Sequence, residues 1–248
     1  WLKEGLRPRA ISRDLKWGIS IPHEGFEDKV FYVWFDAPIG YISITEQLTK
    51  NWQEWWKDSA GTNLYQFMGK DNIPFHSIIF PATLIAASTK KGTDVKKWDP
   101  TTIPYTLVHH LSATEYINYE HTKFSKSRGV GVFGDNARDS GIPSDVFRYV
   151  LLYNRPESSD TQFTWKGLQE RLNNELVANY GNLVNRTITF TNKFFEGKIV
   201  DVKEEDVSKH VHEFLGTYRQ YIAEYIELMD QVRLREALNQ FMKISSLG

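Results

Sequence analysis

Cysteine is absent from the 248 residues, so no disulfide staples the chain and no thiolate metal site forms. The redox compartment stays open, because a cysteine-free chain suits any compartment. An excess of either charge is missing as well: 30 Lys+Arg face 31 Asp+Glu, and the signs stay balanced on both sides of Trp165. No basic arm exists to bind polyanions in general, and any nucleic acid must be gripped by a local patch. Long hydrophobic runs are also lacking. The longest apolar stretch, Phe75 to Ser88, is too short and too interrupted to cross a bilayer, which predicts a soluble protein. The chain opens at Trp1 with no charged-then-apolar leader and stops at Gly248 just after an apolar pattern of helical spacing. Both ends read as cuts in a longer protein. What is present is core-forming material, 41% hydrophobic and 14% aromatic, enough for one large domain or two smaller ones and too much for disorder.

Val30-Phe31-Tyr32-Val33-Trp34-Phe35 is an apolar run of β-formers, and it predicts a strand covered on both faces as in a parallel α/β sheet. It ends in the turn-like Asp36-Ala37-Pro38-Ile39-Gly40-Tyr41. Leu64 to Met68 repeats the plan and runs into Gly69-Lys70-Asp71, after which Asn72 and Pro74 predict a helix from Phe75, kinked by Pro81. Thr106 to Leu111 reads as a third strand, and Ser88 to Tyr105 as a surface loop. Ligands of open parallel sheets sit beyond the strands' carboxyl ends, so Asp36–Tyr41 and Gly69–His76 are expected to line one crevice. Pro143, Ser144 and Asp145 announce a helix. From Trp165 the apolar period becomes helical: a run from Leu168 through Ile188 with Gly197 as its stop, a second from Val207 to Met229, and a third through Leu234, Leu238 and Phe241. Helices joined so closely predict an antiparallel bundle.

Lys123-Phe124-Ser125-Lys126-Ser127-Arg128-Gly129 places two ammonium groups three apart, with hydroxyls between them and glycines behind at Gly129, Gly131 and Gly134. Such a cationic loop suits a polyphosphate, and a compact lysine charge suits phosphoryl oxygens that gain negative charge in a transition state. A solvated lysine loop has the same pattern. The segment KFSKS resembles the KMSKS signature of class I aminoacyl-tRNA synthetases, with Phe124 in place of the common Met. FYVWFDAPIGY from Phe31 to Tyr41 and FMGKDNIPFHS from Phe67 to Ser77 are similar to the methionyl-tRNA synthetases in particular. ATEYINY before the lysine loop and RGVGVFGD after it resemble the branch found in eukaryotes and some prokaryotes. The likeness spans nearly the whole chain.

This resemblance implies the carboxyl half of a Rossmann-like parallel-sheet catalytic domain at 1–122, a connecting segment around the KFSKS loop at 123–164, and an incomplete α-helical anticodon-binding bundle at 165–248. It implies ATP-dependent ligation of L-methionine to tRNA(Met) through methionyl adenylate in the cytoplasm, with ATP as substrate and Mg2+ expected. Trp34, Ala37, Pro38, Tyr41 and His76 match the methionine pocket, flanked by Asp36, and aromatic rings suit a polarizable thioether. Read without the family, Trp34 and Tyr41 fit ordinary core aromatics and His76 a structural hydrogen-bonder. Gly69 and Asp71 match the nucleotide-side turn, where Asp71 fits a ribose contact or a helix cap. Lys123, Ser125 and Lys126 match the phosphate-binding loop, with Lys123 and Lys126 catalytic and Lys126 carrying the larger transition-state role. Asn182 and Arg186, four apart on one helix face, match positions that read the anticodon, and equally fit a surface pair.

Two departures accompany the match. None of His23, His76, His109, His110, His121, His210 and His212 forms an H-x-G-H signature, and the zinc-knuckle cysteines common in the family are absent, so no metal ligand is visible. Both features lie upstream in the family, which implies a missing amino-terminal half as a partner. Two rivals stand beside this reading: another class I synthetase sharing the lysine loop, and a non-catalytic tRNA-binding or scaffold protein built from synthetase parts.

Overall fold

The computed structural model describes residues 3–57, 61–89, 103–199 and 201–248, and they divide into two compact units, 1–113 and 114–248. The expected loop from Ser88 to Tyr105 lies largely outside the described residues.

In the first unit β1 (Ser12–Arg13) pairs antiparallel with β2 (Val30–Phe31). The strand expected over Val30–Phe35 stops at Phe31, because α1 (Val33–Asp36) begins there and α2 (Ile39–Leu48) follows through Ala37 and Pro38. A short apolar run carries no period that separates strand from buried helix, and here the two-residue partner β1 offers nothing for a longer strand to pair with. Next come α3 (Trp52–Trp56) and β3 (Leu64–Gly69), then a tight turn at Lys70–Asn72. A wide π-helical turn at Phe75–Ile79 runs into α4 (Phe80–Ser88). Pro81 has no N–H to return to the preceding turn, so the expected kink takes the form of this change of helical width at the residues before it. β3 forms a two-stranded ladder with β4 (Val108–Thr114), two residues later than the expected third strand. Trp56, Phe80 and Leu84 make the core of this unit, with Ile42, Trp52, Tyr105 and Val108 packed on them.

In the second unit β5 (Ile117–Tyr119) leads through α5 (Gly134–Asp139) and α6 (Ser144–Tyr153) to β6 (Thr161–Phe163), which pairs parallel with β5. A crossover helix is what parallel neighbours require. The predicted helix start at Pro143-Ser144-Asp145 is observed. α7 (Trp165–Arg171) is capped by Thr164, whose hydroxyl accepts from the Gly167 N–H at 2.9 Å. The helix widens to π geometry over Leu172–Gly181 and returns to α8 (Asn182–Phe195). Gly181 permits this: a Cβ there would lie 2.9 Å from the Leu176 carbonyl oxygen. Glu196 and Gly197, both at positive φ, end the run where Gly197 predicted a stop. α9 (Lys209–Asp230), capped by Ser208, and α10 (Leu234–Leu247) complete the chain. Phe241 of α10 meets Tyr225 of α9 and Tyr180 of the wide segment. Buried Phe147, Tyr149, Val150, Phe163, Leu168 and Met242 join α6, β6, α7 and α10 in one core.

The α/β character expected from the sequence is present, with the strands laid out as three two-stranded ladders among the described residues. No helix among them is long and apolar enough to cross a membrane.

Candidate functional site

His76 lies in the wide turn of the first unit, where it is 1% exposed. Its Nδ1 donates to the Asn72 carbonyl at 2.9 Å, since a carbonyl can only accept. In the neutral ring Nε2 is then the acceptor, and the Tyr41 hydroxyl donates to it at 2.8 Å. This bond ties the start of α2 to the segment after β3, the two chain regions expected to share a crevice. Trp34 of α1 meets the His76 ring edge-on at 5.5 Å and stacks on Phe75 at 4.8 Å with 13° between planes. Pro38 is buried beside them in sequence, while Ala37 is exposed and Asp36 half-buried. The structure thus assembles Trp34, Tyr41 and His76 into one aromatic cluster.

Phe75 belongs to that cluster and was not singled out by sequence. Its only signal is its place before His76, because stacking partners 41 residues apart share no local period. Arg9 and Arg13 were missed for the same reason. The Arg13 guanidinium sits 3.8 Å from the Tyr32 ring centroid, and that of Arg9 lies 5.2 Å from both Tyr32 and Phe75.

Gly69 is extended, and open space surrounds the position of an added Cβ, so its backbone can be approached closely. Asp71 lies in the tight turn after β3, at the edge of an apolar cavity of about 630 Å³. Phe75, Tyr32, Arg9, Leu6 and Ala82 also line this cavity, whereas Trp34, Tyr41 and His76 do not. Tyr41 instead borders a smaller cavity of about 300 Å³ along β3.

The lysine loop lies in the second unit. Ser125 and Val130 exchange backbone hydrogen bonds at 2.8 and 3.0 Å, and a helical turn at Lys126–Arg128 is closed by Gly129 at φ 62°. The Arg128 Nε donates to the Ser125 hydroxyl at 3.2 Å, while Lys123 and Lys126 are exposed. Phe124 holds the loop down. Its ring meets Tyr119 at 5.5 Å and Phe133 at 6.3 Å, and it lies so close over Gly131 that an added Cβ would stand 2.4 Å from Phe124 Cδ1. Two lysines and an arginine in six residues form a cationic surface on a hydrogen-bonded base, suited to phosphate oxygens.

Asn182 and Arg186 are exposed on α8 and border one cavity of about 280 Å³ with Asn179, Thr187, Ser245 and Ser246. The Asn182 amide donates to the Ala178 carbonyl at 3.0 Å, and Asn179 donates to Met242 O and Ser246 Oγ of α10. Among the described residues no three His, Asp or Glu side chains gather to hold a metal ion, so no residue is assigned to Mg2+.

Set beside known proteins, residues 1–188 match the family described as tRNA synthetases class I (M). The methionine–tRNA ligase of Treponema denticola is 50% identical over 257 residues, covering all of this chain and 31% of that protein. The cytoplasmic methionine–tRNA ligase of Homo sapiens is 50% identical over 248 residues, again covering all of this chain and 26% of that protein. The chain therefore spans about a third or less of these curated relatives. The methionyl-tRNA synthetase of Mycobacterium tuberculosis, solved in complex with methionyl-adenylate, has the same fold at a TM-score of 0.76 and 22% identity, over 99% of this chain and 44% of that one.

Proposed function

The chain belongs to the class I tRNA synthetases (M), and from that premise we propose that the complete protein ligates L-methionine to tRNA(Met) in the cytoplasm, with this chain supplying part of the machinery. One observation carries the reading to a site: the Tyr41–His76 hydrogen bond gathers the rings of Trp34, Phe75 and Tyr41 around a buried imidazole. Aromatic faces and edges attract a thioether, so the cluster suits the methionine side chain, with Ala37 and Pro38 completing the wall.

In the first step an oxygen of the methionine carboxylate attacks the α-phosphorus of ATP. The bond from that phosphorus to the oxygen bridging the α- and β-phosphates breaks, and pyrophosphate leaves with the electron pair. Lys126, with Lys123 and Ser125, meets the charge that grows on the leaving oxygens. Gly69 lets the nucleotide approach the backbone, and Asp71 accepts from ribose hydroxyls. In the second step a hydroxyl at the 3′ end of the tRNA attacks the activated carbonyl, and AMP departs. Asn182 and Arg186 would read the anticodon from α8, an amide on a base edge and a guanidinium on a base face or phosphate.

Residues 1–122 then form the carboxyl half of the catalytic domain, 123–164 its connection, and 165–248 part of an anticodon-binding bundle. The upstream half supplies the groups on the opposite side of the phosphates. Methionine-dependent ATP–pyrophosphate exchange by the complete protein tests this. Trp34→Ala is expected to weaken methionine by about 2–4 kcal/mol while leaving ATP nearly unchanged. Equal losses for both ligands would make Trp34 a core residue only.

A further inference from the structure

The turn immediately before the lysine loop is strained. Tyr119 and Thr122 exchange backbone hydrogen bonds at 2.7 and 2.8 Å, which leaves Glu120 and His121 as a two-residue hairpin loop with φ of 42° and 71°. Such loops favour Asn-Gly because both central residues need positive φ. A Glu-His pair at these angles persists only where its surroundings over-determine it.

Those surroundings are the start of the long helical run. The Glu120 N–H donates to the Phe163 carbonyl at 3.1 Å, and a Glu120 carboxylate oxygen accepts from the Trp165 N–H at 2.8 Å. The Trp165 indole N–H reaches the Tyr119 hydroxyl at 3.3 Å. α7 already has a local cap in Thr164, so the carboxylate adds less to the helix's existence than to its attachment. Lys123 follows three residues after Glu120, and Phe124 packs on Tyr119, the residue that opens the turn.

We infer that Glu120 is a positioning residue: by gripping the first turn of α7 it fixes the lysine loop relative to the helical segment. The inference rests on the reading that this loop serves adenylate formation. Glu120 touches no reacting group, and its effect runs through the placement of Lys123 and Lys126. With the Tyr119 hydroxyl it binds Trp165 across 45 or 46 residues, and nothing in the local pattern around residue 120 points to residue 165.

The test uses the complete protein and ATP–pyrophosphate exchange, with kcat and KM separated and thermal melting measured in parallel. Glu120→Ala should lower kcat about 10- to 100-fold with KM for methionine within about twofold, as expected when charged groups are displaced by a fraction of an ångström to an ångström. Glu120→Gln, whose amide oxygen accepts the same bond, should restore most of the rate. Thr164→Ala removes the local cap without touching the turn and should lower the melting temperature with kcat unchanged. His121→Gly relieves half of the strain and should melt no lower than the parent at full rate. Unchanged kcat in Glu120→Ala, or equal losses in Glu120→Ala and Glu120→Gln, would overturn the inference. So would a Glu120→Ala variant that behaves like Thr164→Ala. Lys126→Ala serves as the separate control: if exchange survives it, the reading of the loop fails, whereas its loss alongside a normal Glu120→Ala defeats the positioning role alone.

Discussion

Tyr41→Phe removes one oxygen from the aromatic cluster and leaves the ring, so its cost follows from what that oxygen touches. The hydroxyl donates to His76 Nε2 at 2.8 Å, on an imidazole that is 1% exposed. The ring cannot switch tautomer to compensate, because its Nδ1 hydrogen is committed to Asn72 O at 2.9 Å. Nε2 would become a buried acceptor without a partner, a loss in the range of about 1–3 kcal/mol. Packing against Phe80 at 5.9 Å survives, so no cavity term is added. Tyr41 itself is 41% exposed, which lets water reach the edge of the gap and places the cost in the lower part of that range, about 1–2 kcal/mol. Urea unfolding followed by tryptophan fluorescence should show a lower midpoint at constant slope. Nitrogen NMR of the parent should find the hydrogen of the His76 ring on Nδ1. An unchanged midpoint, or a hydrogen found on Nε2, would refute both the bond direction and the account of how the cluster is held.

Three further outcomes are expected. Lys126→Ala in the complete protein should slow adenylate formation about 100- to 1,000-fold with methionine affinity little changed, and an unaltered exchange rate with weakened methionine would remove Lys126 from the transition state. Gly131→Ala should destabilise the second unit by about 1–3 kcal/mol, because its Cβ meets the Phe124 ring and its φ of 140° disfavours a side chain; calorimetry finding a parental melting temperature would contradict that packing. Burial, and then the Glu175 carboxylate, push the Tyr149 phenol up from 10.0 to about 12. The folded chain therefore holds this proton more tightly than the unfolded one, so the stability it contributes is complete below pH 10 and is lost as pH rises towards 12. Tyr149→Phe should flatten that alkaline decline in denaturant midpoints, and an equal decline in both proteins would assign it elsewhere.

Where the sequence was legible, a local rule was at work. Pro143-Ser144-Asp145, Thr164 and Ser208 act through bonds within one helical turn, and Gly197 through its own backbone freedom, so these boundaries can be read without the fold. Val30–Phe35 misled because its residue types suit a strand while the choice between strand and helix rested on the distant partner Ser12–Arg13, and that partner is only two residues long. In the candidate site, the motif segments located Trp34, Tyr41 and His76, yet Phe75 became visible only as a ring stacked on Trp34. Glu120 was invisible for a stronger reason, since its hydrogen bond spans 45 residues and its exposed carboxylate looks like any solvated charge.

The wide helical segment at Leu172–Gly181 has a consequence for how this chain can vary in length. A stretch bonded from each residue to the fifth one on holds more residues for the same rise than an α-helix does. It is a store of register slack between α7 and α8. Loss of a single residue there can be absorbed by tightening back to α geometry, leaving the flanking helices in place and Asn182 and Arg186 facing as they do now. The same deletion inside α8 would rotate everything beyond it by about 100°, so length changes along this helix should collect between residues 172 and 181.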